Sequence, residues 1–122
     1  GATAAVGNDP GLFCAEAAAL NAEANGVEVG FLGEDLLGRP PPEGFDLITA
    51  GDVCYEKPFA EKILAWLEAA RAGGARVLIG DPGRSYFPKS GLQRLAEYRV
   101  PTTRELEDAE VKRTAVWTFP PA

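Results

Sequence analysis

The sequence predicts an α/β fold: a mostly parallel sheet with helices on both faces and an antiparallel hairpin at its C-terminal end. Three observations lead there. Apolar β-capable runs are separated by helical stretches of roughly 10–15 residues, the rhythm of βαβ units. The runs Phe45–Ala50 (FDLITA) and RVLIG within Ala75–Gly80 are continuously apolar rather than alternating, as expected of strands covered on both sides. The last two β-capable stretches have no helix between them. At 122 residues the chain fits one domain, read here as spanning 1–122.

Each element has a local cause. Ala2–Val6 is a short β-capable run. Leu12 to Ala24 is built from Ala, Leu and Glu, strong helix formers. Its expected apolar face is Leu12, Ala15, Ala19, Leu20 and Ala22, and Asn25-Gly26 offers a left-handed exit. Val27–Leu32 reads as a strand. The loop after it carries Gly33, Gly38 and Arg39-Pro40-Pro41-Pro42, too rigid and donor-poor for a central strand.

Phe45–Ala50 is the next strand. Pro58 to Ala72 follows as the best helix, with Phe59, Ile63, Trp66, Leu67 and Ala70 at helical spacing, Pro58 in its first turn and Gly73-Gly74 past its end. Ala75–Gly80 is a strand, and Asp81-Pro82-Gly83 a turn. A short helix is expected over Gly91–Tyr98, with β-capable stretches around Tyr98–Pro101 and Val111–Phe119. Between them, Arg104–Arg113 has only Leu106, Ala109 and Val111 to bury, which favours a hairpin connection over a helix.

Composition excludes several function classes. The chain has 12 basic and 18 acidic residues, a net charge of -6, which argues against a nucleic-acid surface. Histidine is absent, so Ser-His and Cys-His nucleophile pairs and His-ligated metal sites are excluded within the chain. Cys14 and Cys54 sit in apolar contexts and read as buried, reduced thiols. No apolar run approaches the ~20 residues that span a bilayer, so no membrane role and a soluble, cytoplasmic protein are expected.

In an open parallel sheet, ligands bind at the carboxyl ends of the strands. Four loops fall there: Gly7-Asn8-Asp9-Pro10, Gly33-Glu34-Asp35, Gly51-Asp52-Val53-Cys54-Tyr55 and Gly80-Asp81-Pro82-Gly83-Arg84. Each presents a glycine and then a carboxylate. Converging on one rim, they would make an electronegative crevice for hydroxyls, amines and a cationic centre. Each acid also has a plainer reading. Asp9 is a turn former or helix cap as readily as a ribose acceptor, and Asp35 a solvated loop residue. Asp52 is a cap, or half of a polar-aromatic pair with Tyr55. Asp81 is a turn residue, and Arg84 either pairs with one of these acids or faces solvent.

Gly7-Asn8-Asp9 is followed twelve residues later by Asn21, then by the Gly51–Tyr55 run, the Gly80–Arg84 loop and the closing Val116-Trp117-Thr118-Phe119-Pro120. In that order these motifs resemble the class I S-adenosylmethionine-dependent methyltransferases, over nearly the whole chain. The likeness is greatest to the seven-β-strand protein lysine methyltransferases with a DxxY motif. Within those it is greatest to the electron-transfer-flavoprotein β-subunit enzymes and their bacterial relatives, themselves similar to ribosomal protein L11 methyltransferases. The resemblance implies a Rossmann-like fold, S-adenosyl-L-methionine as cofactor and a protein lysine as acceptor. It implies Asp9 at the cofactor ribose, Glu34 and Asp35 near the adenine, Gly51 at the methionine end, and Asp52 with Tyr55 as the catalytic DxxY pair. No metal is needed for that chemistry.

The family begins with a strand and a Gly-rich loop that cradles the cofactor. Here Gly1–Val6 matches the family's second strand, so the first strand of the family fold is expected to be missing. A homodimer that swaps strands is one arrangement this leaves open. The alternative to an active enzyme is an inactive Rossmann-like binding module that needs the missing N-terminal segment.

Overall fold

In a computed structural model of the chain, residues 2–11, 13–101 and 111–121 are described. Contacts cluster into two compact units, Gly1–Arg39 and Pro40–Ala122.

The first unit is a single parallel βαβ turn. Strand β1 (Val6–Asn8) leads into helix α1 (Cys14–Asn25) and then β2 (Gly30–Leu32), which pairs in parallel with β1 from Val6 opposite Gly30 to Asn8 opposite Leu32. Strand β1 shares only Val6 with the expected run Ala2–Val6 and continues through Gly7 and Asn8, which the sequence places in the following loop, while β2 covers only the last three residues of Val27–Leu32. Helix α1 ends as expected: Gly26 takes φ +65°, and its N–H returns to the last turn. The expected apolar face of α1 does not form. Ala15, Ala19 and Leu20 are exposed and Ala22 is half-buried, while Leu12 lies outside the described residues. Alanine is spread almost evenly round this helix, so it forms from propensity rather than from an apolar stripe. A 3-10 turn (Leu36–Gly38) closes the unit.

The second unit holds the buried core. Its sheet has the order β3-β4-β6-β5, with β3 (Leu47–Gly51), β4 (Arg76–Asp81), β5 (Gln93–Pro101) and β6 (Val111–Thr118). Strands β3 and β4 are parallel, from Leu47 opposite Arg76 to Gly51 opposite Gly80. The β4–β6 and β5–β6 pairs are antiparallel, which confirms the closing hairpin. This sheet is thus mixed, with one parallel and two antiparallel pairs among the described residues, while the two-stranded sheet of the first unit is parallel.

Helix α2 (Lys57–Ala72) crosses from β3 to β4, with Pro58 in its first turn as the sequence predicts. Its Leu67 meets Val77 and Ile79 of β4 in a fully buried cluster, ringed by Ile48, Ile63, Trp66, Phe87 and Trp117. Burial along β4 alternates, so Val77, Ile79 and Asp81 share the buried face. Asp81 is therefore carried inward by strand phase. Thr118 Oγ1 donates to Val77 O at 2.7 Å and fastens β6 beside β4.

Gly91–Tyr98 is not a helix. The segment is the start of β5, which pairs with β6 from Gln93 opposite Thr118 to Pro101 opposite Val111, with a bulge at Leu95. The long ladder to β6 outweighs a helix propensity that is weak over so few residues. Residues 102–110 of the expected hairpin connection Arg104–Arg113 lie outside the described residues, and Val111–Arg113 open β6. Among the described residues no helix is long and apolar enough to cross a membrane.

Leu67 is 1% exposed at the centre of the core. Leu67→Ala is expected to cost about 2–5 kcal/mol. Urea unfolding followed by circular dichroism should show a lower midpoint at unchanged slope, whereas an unchanged midpoint would remove α2 from the core.

Candidate functional site

Each expected site residue has a definite local role, and the two units supply different ones. In the first unit, Asp9 forms a turn beyond β1, its Oδ1 accepting from Gly11 N at 2.8 Å. It does not cap α1, whose N-cap position is Phe13 with no side-chain bond. Cys14 also donates to the Asp9 carboxylate, and this bond is the main reason its thiol lies above the ordinary cysteine range, with burial second. Cys14 is half-buried rather than buried.

The other two acids follow β2. Glu34 pairs with Arg39. Asp35 caps the 3-10 turn, accepting from Leu37 N at 3.0 Å. Asn8, to which the sequence assigns no role, holds this loop in place. Its Nδ2 donates to Leu32 O at 2.7 Å and to Glu34 O at 2.8 Å, tying the end of β1 to the chain beyond β2. The only sequence signal was its place between Gly7 and Asp9 at a strand end.

In the second unit, the β3–β4 register sets Gly51 opposite Gly80 and carries Asp52 to the strand end beside Asp81. Asp52 N donates to Gly80 O at 2.9 Å. Among the described residues Asp52 is the one non-glycine with positive φ, at +51°. A Cβ added at Gly51 would meet nothing within 4 Å, so the backbone there is open to an approaching group.

Arg84 grips Asp52 with a fork: Nε donates to Oδ1 and Nη2 to Oδ2, each at 2.7 Å. The turn carrying Arg84 is held by Asp81, whose Oδ2 accepts from Gly83 N at 2.8 Å and Arg84 N at 3.0 Å. Gly83 takes φ +99° there, which a side chain would resist. Asp81 is 4% exposed, and its Oδ1 has no hydrogen-bond partner among the described residues. Tyr55 is exposed, and its ring stacks on Phe59 of α2 at 5.5 Å between centroids.

Cys54, between Asp52 and Tyr55, is fully buried. Burial first, then the charges of Asp81 and Asp52, push its thiol above the usual range. It is packing beside the loop, poorly suited to be a nucleophile. Beyond Asp81 an open cleft of about 560 Å³ is lined by Pro82, Arg84, Phe87, Arg94 and Trp117 among others.

The fold is similar to that of solved N-methyltransferase structures. The N-methyltransferase NodS from Bradyrhizobium japonicum WM9 superposes with a TM-score of 0.60 at 13% identity, over 95% of this chain and 73% of that one. The same enzyme in complex with S-adenosyl-L-homocysteine also gives 0.60, at 14% identity, over 95% of this chain and 66% of that one.

Sequence similarity is more particular. The chain is 35% identical over 127 residues to the electron transfer flavoprotein beta subunit lysine methyltransferase of Xenopus laevis, covering 99% of this chain and 51% of the relative. The Rattus norvegicus protein of the same name is also 35% identical over 127 residues, covering 99% of this chain and 49% of the relative. The chain thus spans about half the length of the curated relatives it matches. No family model matches it.

A raised thiol pKa leaves the neutral form dominant at neutral pH, with the thiolate appearing only as pH climbs through the shifted value. Cys54 should therefore resist alkylation in the native protein at pH 7 and react once urea unfolds it, read by mass spectrometry. Rapid native labelling at pH 7 would contradict its burial.

Proposed function

We propose that this chain is part of an S-adenosylmethionine-dependent N-methyltransferase that methylates lysine side chains of a protein acceptor, with electron transfer flavoprotein as the first candidate. One observation carries the reading. Similarity to enzymes named as lysine methyltransferases runs over 99% of the chain.

The chemistry of the donor set fits the cofactor. Carboxylates at the ends of β1 and β2 suit ribose hydroxyls and an adenine amino group, assigned to Asp9 and to Glu34 with Asp35. Open space above Gly51 suits close approach of a ligand to backbone. When bound, S-adenosylmethionine supplies a methyl carbon on a sulfonium, open to in-line displacement by a neutral amine. In that displacement the N–C bond would form as the C–S bond breaks, S-adenosylhomocysteine would leave, and the methylated ammonium would give its proton to water.

The chain's own part is alignment. Asp52 attracts the lysine ammonium and orients the amine after the proton leaves, while Tyr55 lines the approach. Holding two reactants in register supplies about 7–11 kcal/mol in favourable cases, without acid-base catalysis. The absence of histidine is no obstacle to such a step.

The test uses the whole protein carrying this chain, with calorimetry of S-adenosylhomocysteine beside methyl transfer to electron transfer flavoprotein. Asp9→Ala should weaken S-adenosylhomocysteine by about tenfold or more, the cost of losing hydrogen bonds to a carboxylate. Asp52→Ala should lower transfer by a similar factor with the ligand's affinity kept within about twofold. If the wild-type protein binds no S-adenosylhomocysteine, the inactive binding module becomes the better reading. Equal loss of binding and transfer in Asp52→Ala would move Asp52 to the cofactor side.

A further inference from the structure

The contact between Arg84 and Asp52 is built from both ends. Arg84 is placed by its turn, since its N–H donates to the buried Asp81 at 3.0 Å. Asp52 is placed by its N–H bond to Gly80 O at 2.9 Å and by a left-handed φ of +51°. The two parallel 2.7 Å contacts then leave the carboxylate one plane to lie in.

Stability does not account for this arrangement. The two side chains are 40% and 46% exposed, and exposed ion pairs are worth about 0–1 kcal/mol. The left-handed backbone at Asp52 costs roughly as much or more. A local cost with no evident gain in folding marks a position shaped by what it binds.

Charge gives the second part. A bare carboxylate stabilises ammonium and so raises the pKa of an amine beside it, while a cation close by lowers that pKa. Methyl transfer needs the neutral amine. Among the described residues, the titratable and charged groups gathered here are Asp52, Cys54 and Tyr55 after β3, followed along the chain by Glu56 and Lys57, and Asp81 at the end of β4 with Arg84 beyond it; Lys89, Arg94, Glu97 and Arg113 line the cleft beside them. Arg84 is the cation whose guanidinium bonds the Asp52 carboxylate directly.

We infer that Arg84 is the positioning residue of the methyl-acceptor site, fixing the plane of the Asp52 carboxylate and tempering its charge. The arriving amine is thereby oriented without being locked as ammonium. This rests on the reading of Asp52 as the acceptor-facing acid. Lysine at position 84 would keep the charge but lose the planar fork.

The experiment compares Arg84→Ala, Arg84→Lys, Asp52→Ala and the double variant Asp52→Ala/Arg84→Ala in the whole protein. It measures transfer to electron transfer flavoprotein across pH, S-adenosylhomocysteine affinity by calorimetry, and folding by urea midpoint. Arg84→Ala should lower kcat by about tenfold with the acceptor KM not raised, and S-adenosylhomocysteine affinity should hold within about twofold. Its rising kcat–pH limb should move to higher pH, because the cation that favours the neutral amine is gone. Arg84→Lys should restore the pH limb but only part of kcat. The double variant should be no slower than Asp52→Ala, since Arg84 acts through that carboxylate.

Wild-type kcat in Arg84→Ala, beside an impaired Asp52→Ala, would overturn the role of Arg84 and leave the proposed function standing. A double variant slower than Asp52→Ala by the full Arg84 factor would also overturn it. Unimpaired transfer in Asp52→Ala would remove the site reading and this inference together.

Discussion

The arrangement at the ends of β3 and β4 depends on one ion pair, the fork of Arg84 on Asp52. What brings the partners together is the parallel register of the two strands, which sets Gly51 opposite Gly80 and two carboxylates, Asp52 and Asp81, on adjacent strand ends. The buried cluster of Leu67, Val77 and Ile79 holds that register. The phase of β4 then turns Asp81 inward, where it caps the Gly83–Arg84 turn, and the turn returns a cation to Asp52. Packing, strand phase and turn chemistry thus lead step by step to the orientation of one carboxylate.

The elements easiest to read in the sequence were those with strong local causes. Helix α2 declares itself through the spacing of Ile63, Trp66, Leu67 and Ala70, and the same residues face the core. Gly26 ends α1 by the left-handed turn its place predicts. Where local causes are weak, tertiary contacts decide. Gly91–Tyr98 has enough helix formers to suggest a helix, yet its pairing with β6 draws it into β5. The face of α1 is hard to read for a related reason, because alanine at half of its positions, spread round the helix, leaves no distinct apolar stripe.

The candidate site was legible as a set of residue types and only partly as geometry. A glycine followed by an acid after each strand was enough to select Asp9, Asp35, Asp52 and Asp81. The plainer readings of two of them are realised in their hydrogen bonds, since Asp9 and Asp81 form turns, while Asp35, read plainly as a solvated loop residue, caps a turn instead. A carboxylate at a strand end can do that work and still present an oxygen to a ligand, so the local role does not displace the proposed one. The partner of Arg84 could not be read, because pairing across 32 positions depends on a register that no local pattern encodes.

The most direct test of this account is the Nε–H resonance of Arg84 in proton–nitrogen spectra of the wild-type protein and of Asp52→Asn. A guanidinium held in a fork gives a shifted, slowly exchanging Nε–H that reverts towards the values of solvated arginines when the carboxylate is neutralised. A wild-type resonance already like that of a solvated arginine, unchanged by Asp52→Asn, would contradict it.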